Sequence, residues 1–486
     1  MHSTYRAAGG LFLAIMFSGL AVSAQIRVPR LVSDGMVLQR EIPIRIWGFG
    51  APGEKVTVKF DGETAGSVTD DNGKWVVELR PKKAGGPYVM DVDGINHIWI
   101  KNIMVGEVWA CIGQYNMELP MGKVAAQYAD LIAHAGDVPV RQFHILEHYD
   151  YKGPRENVSS GHWETADPSS VLSFSALGYL FARQIYDHFH VPVGLINATV
   201  ADAPAEAWLS PGALKFFPDY ANAAARYADS SFPEGKGPVD RMAPGGLLNG
   251  MIAPAATYTV RGVLWYQGEA NVQRPGDYQA LLTTLISDYR RWWSEGNLPF
   301  LYVQLEGHGP VKQEPEESQW AELREAQRLA LDGQGVAMTV AADLNDSGDL
   351  RPKDFDELAK RLFLAAEGMA YGKSTIIYTG PLYRSMKAHG KTMHVLFDDL
   401  NTGLIVKGGG ELKGFQIAGA DHRFLPAKAL IDGKKVYVWN DAIPHPMAVR
   451  YAWADNPAGA NLYNRDILFK DGLPAPPFEG GVKAKK

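Results

Sequence analysis

The chain has 486 residues, 46% of them hydrophobic and 21% charged, with a formal net charge of -6. That length and apolar content suffice for two or three domains with their own cores, which excludes a disordered chain. The charge is small and mixed in sign along the sequence, so no basic face exists to neutralise a run of phosphates, which excludes nucleic acid as a partner.

At the start, Arg6 precedes an apolar run from Leu11 to Val22, and Val22-Ser23-Ala24 stands before Gln25. This is the small-x-small pattern of a cleaved secretory signal. The run is shorter than the ~20 residues a spanning helix needs. Residues 1–24 are therefore predicted to be a signal peptide, the protein periplasmic or secreted, without a membrane anchor. Cys111 is the one cysteine, so no intrachain disulfide forms, and it is expected as a small buried hydrophobe.

From Arg27 to about Ile103 short alternating segments recur at Pro43 to Trp47, Lys55 to Phe60, Lys74 to Leu79 and Tyr88 to Val92. Asp61-Gly62, Asp71-Asn72-Gly73 and Gly85-Gly86-Pro87 supply turns between them. An N-terminal β-sandwich is predicted over 25–103. From Met104 buried apolar runs (Gly106 to Cys111, Val193 to Ile196, Arg261 to Tyr266, Phe300 to Gln304, Val336 to Ala341) alternate with helical stretches at Ser175 to Phe189, Tyr278 to Trp293 and Ser318 to Asp332. Strand and helix in alternation predict an α/β fold with a doubly wound parallel sheet over 104–375, interrupted by a helical insertion at about 205–245. Alternating segments return after Tyr371, at Met393 to Phe397, Leu404 to Val406 and Lys435 to Trp439, and predict a C-terminal β-domain over 376–486.

In such sheets ligands sit beyond the carboxyl ends of the strands. Three of those ends carry clustered polar residues: Gln114, Tyr115, Asn116 and Glu118; Gln267, Glu269 and Asn271; and Asp343 to Arg351, which includes Asp346 and Asp349. Glu306 and His308 follow the strand ending at Gln304 and belong on the same rim. Burying such groups for stability alone costs more than apolar packing, so together they mark a site. His144, His148, His389, His394, His422 and His445 show no ligand spacing, and neither a metal nor another cofactor is expected.

At these residues the chain resembles the sialate O-acetylesterases, of the SGNH hydrolase superfamily. The resemblance runs through Gly106-Glu107-Val108-Trp109-Ala110-Cys111-Ile112-Gly113-Gln114-Tyr115-Asn116-Met117-Glu118, Gly194-Leu195-Ile196-Asn197, Glu206-Ala207-Trp208, Leu248 to Pro254 and Val263-Leu264-Trp265-Tyr266-Gln267-Gly268-Glu269. It continues through Leu323 to Gln327 and Phe415 to Gly419 to Pro446 to Trp453, nearly the whole chain beyond the leader. It implies an SGNH-type, flavodoxin-like sheet and an oligosaccharide or polysaccharide substrate. The family uses a serine in G-Q-S-N-M, an oxyanion hole that includes the asparagine of Q-G-E-S-N, and a base in D-I-H-P. Carried over residue by residue, the asparagine is Asn271 and the acid orienting the base is Asp349. Tyr115 stands in the serine's place, Arg351 in the histidine's, and Ala201-Asp202 in place of a glycine pair.

Serine attack needs a neighbouring base, and loss of either partner collapses the route. Arginine keeps its proton up to about pH 12 and cannot be that base. Ordinary ester hydrolysis is therefore expected to be absent or residual. If the family geometry holds, Tyr115 and Arg351 face each other, and a guanidinium would favour the phenolate. The pair suits glycoside cleavage, either by a carboxylate-assisted tyrosine nucleophile or by elimination from a uronate. Asp202, Glu269, Glu306 and His308 are acids or bases at hand. A glycan-binding protein without turnover and a retained O-acetylesterase stay open as alternatives. Trp208, Trp265 and Trp453 are candidates to stack on sugar.

Overall fold

The computed structural model describes residues 25–229, 243–331, 333–345, 351–465 and 472–481. The leader at 1–24, the end of the insertion and Asp349 lie outside these residues. No described helix is long and apolar enough to cross a membrane.

At the N-terminal end the strands Ile44–Phe49 and Lys74–Leu79 pair antiparallel, and Lys55–Phe60, Glu63–Val68 and Gly85–Asp93 form a second layer. Lys74–Leu79 alternates exposed and buried residues, the signature of a half-buried strand. Between Phe60 and its partner Glu63 only Asp61 and Gly62 intervene, both at positive φ (45° and 73°). That is the two-residue hairpin geometry that Asp-Gly favours.

The strand β1, His97–Gly113, joins this layer to the central sheet. Its first half pairs antiparallel with Gly85–Asp93 and its second half lies between two parallel neighbours. Burial changes accordingly, from alternating to continuous at Val105, because a central parallel strand is covered on both faces. Further strands are β2 (Val140–His144), β3 (Trp163–Thr165), β4 (Val193–Thr199), β5 (Gly262–Tyr266), β6 (Phe300–Gln304) and β7 (Val336–Val340). The spatial order is β7-β6-β5-β1-β4-β2-β3. All of these pairs are parallel except β2 with β3. After β4 the chain crosses to the far side of β1 and continues outward, so the winding direction switches beside β1.

Helices cover the sheet. The short α1 (Tyr115–Glu118) follows β1 at once; α2 is Ala176–Phe189, α3 Pro275–Trp292, α4 Gln319–Leu329 and α5 Phe355–Met369. Helix α2 packs on α5, and α3 on α4. Their starts are written in the sequence. Ser175, Ser318 and Asp354 cap α2, α4 and α5 by accepting from backbone N–H groups, and Pro275 opens α3. The insertion holds the helix Pro218–Asp229.

One continuous core joins the N-terminal strands and the α/β region, and a second core fills the C-terminal strands. The C-terminal strands form antiparallel sheets, with Tyr383 and Phe478 stacked at 4.5 Å inside. The architecture is thus the expected doubly wound α/β sheet, flanked by β-structure at both ends.

Candidate active site

Parallel register brings strand ends to one edge. Gly113 lies opposite both Thr199 and Tyr266, and Gln304 opposite Val340. At this edge β1 and β5 come unusually close: a Cβ on Gly113 would stand 2.1 Å from the Tyr266 carbonyl oxygen, at a φ of 146°. Only glycine fits there. The strand then turns into α1, with the Gln114 N–H donating to the Tyr266 carbonyl at 2.9 Å. Tyr115 therefore opens a helix at this edge of the sheet, half-buried, while Asn116 behind it is fully buried.

Beneath α1 a buried chain of amides ties three loops together. Gln267 Nε2 donates to Gln114 Oε1 at 2.9 Å, to Asn271 Oδ1 at 2.7 Å and to the Ala203 carbonyl at 3.3 Å. Tyr278 on α3 donates to Gln267 Oε1 at 2.8 Å. Asn271 Oδ1 also accepts from the Ala205 N–H at 2.9 Å, and its Nδ2 donates to Glu206 at 2.9 Å. Glu206 in turn pairs with Arg274 at 2.5 Å. Gln114, Gln267 and Asn271 are all buried, so these amides fix the loops after β1, β4 and β5 in one arrangement.

The acids form a second layer. Asn116 Nδ2 donates to Glu306 Oε1 at 3.2 Å and lies 3.5 Å from Glu269 Oε1. Tyr266 donates its hydroxyl to Glu306 Oε2 in a short hydrogen bond. Glu306 is fully buried. Glu269 keeps part of its surface on the cleft, but its Oε2 is enclosed and has no hydrogen-bond partner. Burial, and next the charge of Glu306, push the Glu269 carboxyl up to about 8. Burial also raises Glu306, to about 7, against the hydrogen bond from Tyr266. Tyr266 itself is pushed up by burial and then by the charges of Glu306 and Glu269, so it stays a phenol.

Asp202 is exposed, and its charge reaches Glu269 from the loop after β4. It sits at a φ of 59°, a left-handed conformation natural to glycine and tolerated by aspartate at some cost.

The loop after β6 carries Glu306 and is clasped from below. Arg324 on α4, fully buried, donates to the carbonyls of Leu305 at 2.9 Å, Ala454 at 2.8 Å and Asp455 at 2.7 Å, and also to that of Glu306. The C-terminal segment thus holds the acid-bearing loop. His308 belongs to this seam: its N–H donates to the Asp455 carbonyl at 2.9 Å, and its ring packs 5.0 Å from Trp320.

Arg351 is half-buried and lines a hollow of about 350 Å³ with Lys123, Gln127, Asn345, Lys353 and Phe355; Tyr115 is not part of that lining. Asp343 is committed elsewhere. Burial opposes its charge, yet Arg361, at 2.7 and 2.9 Å, holds its carboxyl below the usual range, and Tyr463 donates to it at 2.7 Å. Trp208, Trp265 and Trp453 are buried core residues, and Cys111 is buried with its thiol pushed up to about 12 by burial. Among the described residues no group of histidine, cysteine or acidic side chains could hold a metal ion.

The structure thus gathers Gln114, Tyr115, Asn116, Gln267, Glu269, Asn271 and Glu306 at one edge, with Asp202 close by, while His308 lies against Asp455 and Trp320 and Arg351 lines the hollow with Lys123 and Lys353. Tyr266 and Arg324 had not been singled out. Tyr266 is the last residue of an apolar strand, the position from which a side chain reaches the site, whereas the role of Arg324 depends on a loop 130 residues away in sequence.

The model of the carbohydrate esterase family described as sialic acid-specific acetylesterases matches residues 105–363. The chain is 28% identical to the human sialate O-acetylesterase, over 96% of this chain and 94% of that protein. It is 27% identical to the rat sialate O-acetylesterase, over 97% and 98%. A crystal structure of a carbohydrate acetylesterase from Xanthomonas citri superposes with a TM-score of 0.83 at 35% identity, covering 94% of this chain and 100% of that one.

Proposed function

Since the chain belongs to the sialic acid-specific acetylesterase family of carbohydrate esterases, we propose that its cleft takes acetylated or acidic glycans and cleaves a glycosidic bond where its relatives cleave an acetyl ester. One observation carries this reading. The residue that opens α1 at this edge of the sheet is a phenol, Tyr115, and the next residue, Asn116, contacts two carboxyl groups titrating near neutrality.

Serine-type acyl transfer has no nucleophile–base unit here, because Arg351 cannot accept a proton. A phenol flanked by acids supports a different displacement. The Tyr115 oxygen bonds to the anomeric carbon and passes its proton to the Asp202 carboxylate. The glycosidic C–O bond breaks with its electron pair on the leaving oxygen, which takes a proton from an acid of the cleft. Water then displaces the sugar from Tyr115, and the phenol regains its proton. Arg351 serves as a carboxylate clamp on acidic substrates, and elimination from a uronate is the variant of this chemistry it would favour. We place the protein in the periplasm or outside the cell on the strength of the leader-like residues 1–24.

A second reading is glycan binding without turnover, in which Tyr115 contacts the sugar and attacks nothing. Reducing-sugar release, absorbance of an unsaturated uronate and calorimetric binding across a glycan panel separate the readings. Tyr115→Phe abolishes turnover with affinity nearly unchanged if Tyr115 attacks. Binding with no product from any glycan overturns the cleavage reading.

A further inference from the structure

The arrangement behind Tyr115 goes further than a set of nearby acids. An ionised carboxylate enclosed by protein needs hydrogen-bond donors on both oxygens, and an oxygen left bare disfavours the charge. Glu306 has its donors: Tyr266 on Oε2 and Asn116 on Oε1. Glu269 meets the same Asn116 nitrogen at 3.5 Å, and backbone N–H groups of Gly268 and Glu269 favour its charge, but its enclosed Oε2 has no partner and burial outweighs them. One amide nitrogen thus bridges the two carboxyl groups, which sets them side by side, and Glu306 alone has the Tyr266 hydroxyl as well.

We propose that Glu269 and Glu306 share a single proton, so that Glu269 faces the cleft as a neutral carboxylic acid and takes over the proton-donating task that a histidine would perform. The groups around the pair agree. Asp202 adds negative charge beside Glu269 from the loop after β4, and Tyr278 on α3 is a neutral phenol occupied by Gln267. Tyr266 on β5 donates to Glu306, and Arg324 on α4 lies on the Glu306 side with its guanidinium directed at backbone carbonyls. The cation thus stabilises charge on Glu306, and Asp202 opposes charge on Glu269. Burial raises the titration of both groups, and the charge of Glu306 and then of Asp202 raise Glu269 further. Two like charges on one shared amide cannot both form near neutrality, and the proton settles on Glu269, whose Oε2 is unpartnered and which faces Asp202, while Tyr266 and Arg324 favour charge on Glu306.

The acid role rests on the glycan-cleaving reading; the shared proton does not. During cleavage the leaving oxygen takes the Glu269 proton as the C–O bond breaks. The water that later attacks returns a proton to Glu269, so the residue is unchanged over a cycle. Glu306 never meets substrate and is a positioning residue, holding Glu269 protonated.

Infrared difference spectroscopy on the full chain, with ¹³C-labelled glutamate, tests the pair without any glycan. A protonated carboxyl band is expected at pH 7 in the native protein, lost as pH rises past about 8. The band should vanish in Glu269→Gln and move about two pH units lower in Glu306→Gln. Absence of the band in native protein at pH 7 overturns the proposal even if neither variant folds, and so does a band unchanged in both variants. If a cleaved glycan is in hand, Glu269→Gln should lower kcat by about a hundredfold and Glu306→Gln should shift the alkaline limb of the pH profile. A band that behaves as expected, with kcat unmoved in Glu269→Gln, keeps the shared proton and overturns its acid role.

Discussion

Raising the pH from about 5 to about 9 should weaken this fold, and Glu306→Gln should remove most of that loss. A glutamate in the unfolded chain titrates near ~4.3, while burial holds Glu306 at about 7 and Glu269 at about 8. Between those limits the folded protein binds more protons than the unfolded chain. Stability from these groups is therefore fully present below the unfolded value and is lost as pH rises through the folded values. One pH unit corresponds to ~1.4 kcal/mol, so from pH 5 a proton kept for about two units on Glu306 and about three on Glu269 together set a loss of roughly 7 kcal/mol. Both carboxyl groups reach one Asn116 nitrogen, at 3.5 and 3.2 Å, and unit charges at a separation of order ~5 Å and an effective dielectric near ~20 repel by about 3 kcal/mol, equivalent to about two pH units. With Glu306 neutralised, Glu269 should titrate about two units lower and the slope above neutrality should flatten. Urea unfolding followed by tryptophan fluorescence at a series of pH values reads this directly. Other titrating groups contribute equally to both proteins, so the difference between them is the test. Parallel profiles for native protein and Glu306→Gln would refute the reasoning.

Three further substitutions probe the scaffold. Gly113→Ala places a methyl 2.1 Å from the Tyr266 carbonyl oxygen and should cost about 3 kcal/mol, read as a lower thermal midpoint. Asp202→Gly relieves a left-handed backbone at φ 59° and should stabilise by about 1 kcal/mol, while lowering the pH at which Glu269 loses its proton. Arg324→Met strands the carbonyls of Leu305, Glu306, Ala454 and Asp455. It should cost about 4 kcal/mol and expose the seam around Asp455 to limited proteolysis.

Much of this was legible in the sequence because the determinants are local. The Asp61-Gly62 hairpin, the apolar runs of β4 to β7 and the serine cap of α2 announce themselves within a few residues. The gathering of Gln114, Gln267 and Glu269 followed from one topological rule, that polar residues just past parallel strands meet at the sheet edge. Other features escaped. The change of texture at Met104 falls inside the single strand β1, since one strand serves two layers, and pattern alone does not separate a domain joint from a change in how many faces are covered. Helix α5 was not anticipated, although Asp354 and Glu357 mark its start. The bond between Tyr266 and Glu306, and the reach of Arg324 to Ala454, arise from packing between distant segments, for which no local pattern exists. The expectation that Tyr115 and Arg351 face each other leaned on family geometry, which no local pattern in the sequence encodes.

Acetate release from O-acetylated sialosides by the purified native chain bears most directly on the replaced reaction centre. With a phenol at position 115 and a guanidinium at position 351, release should not exceed the uncatalysed background at any pH near neutrality. Rapid deacetylation that persists after both side chains are substituted would contradict it.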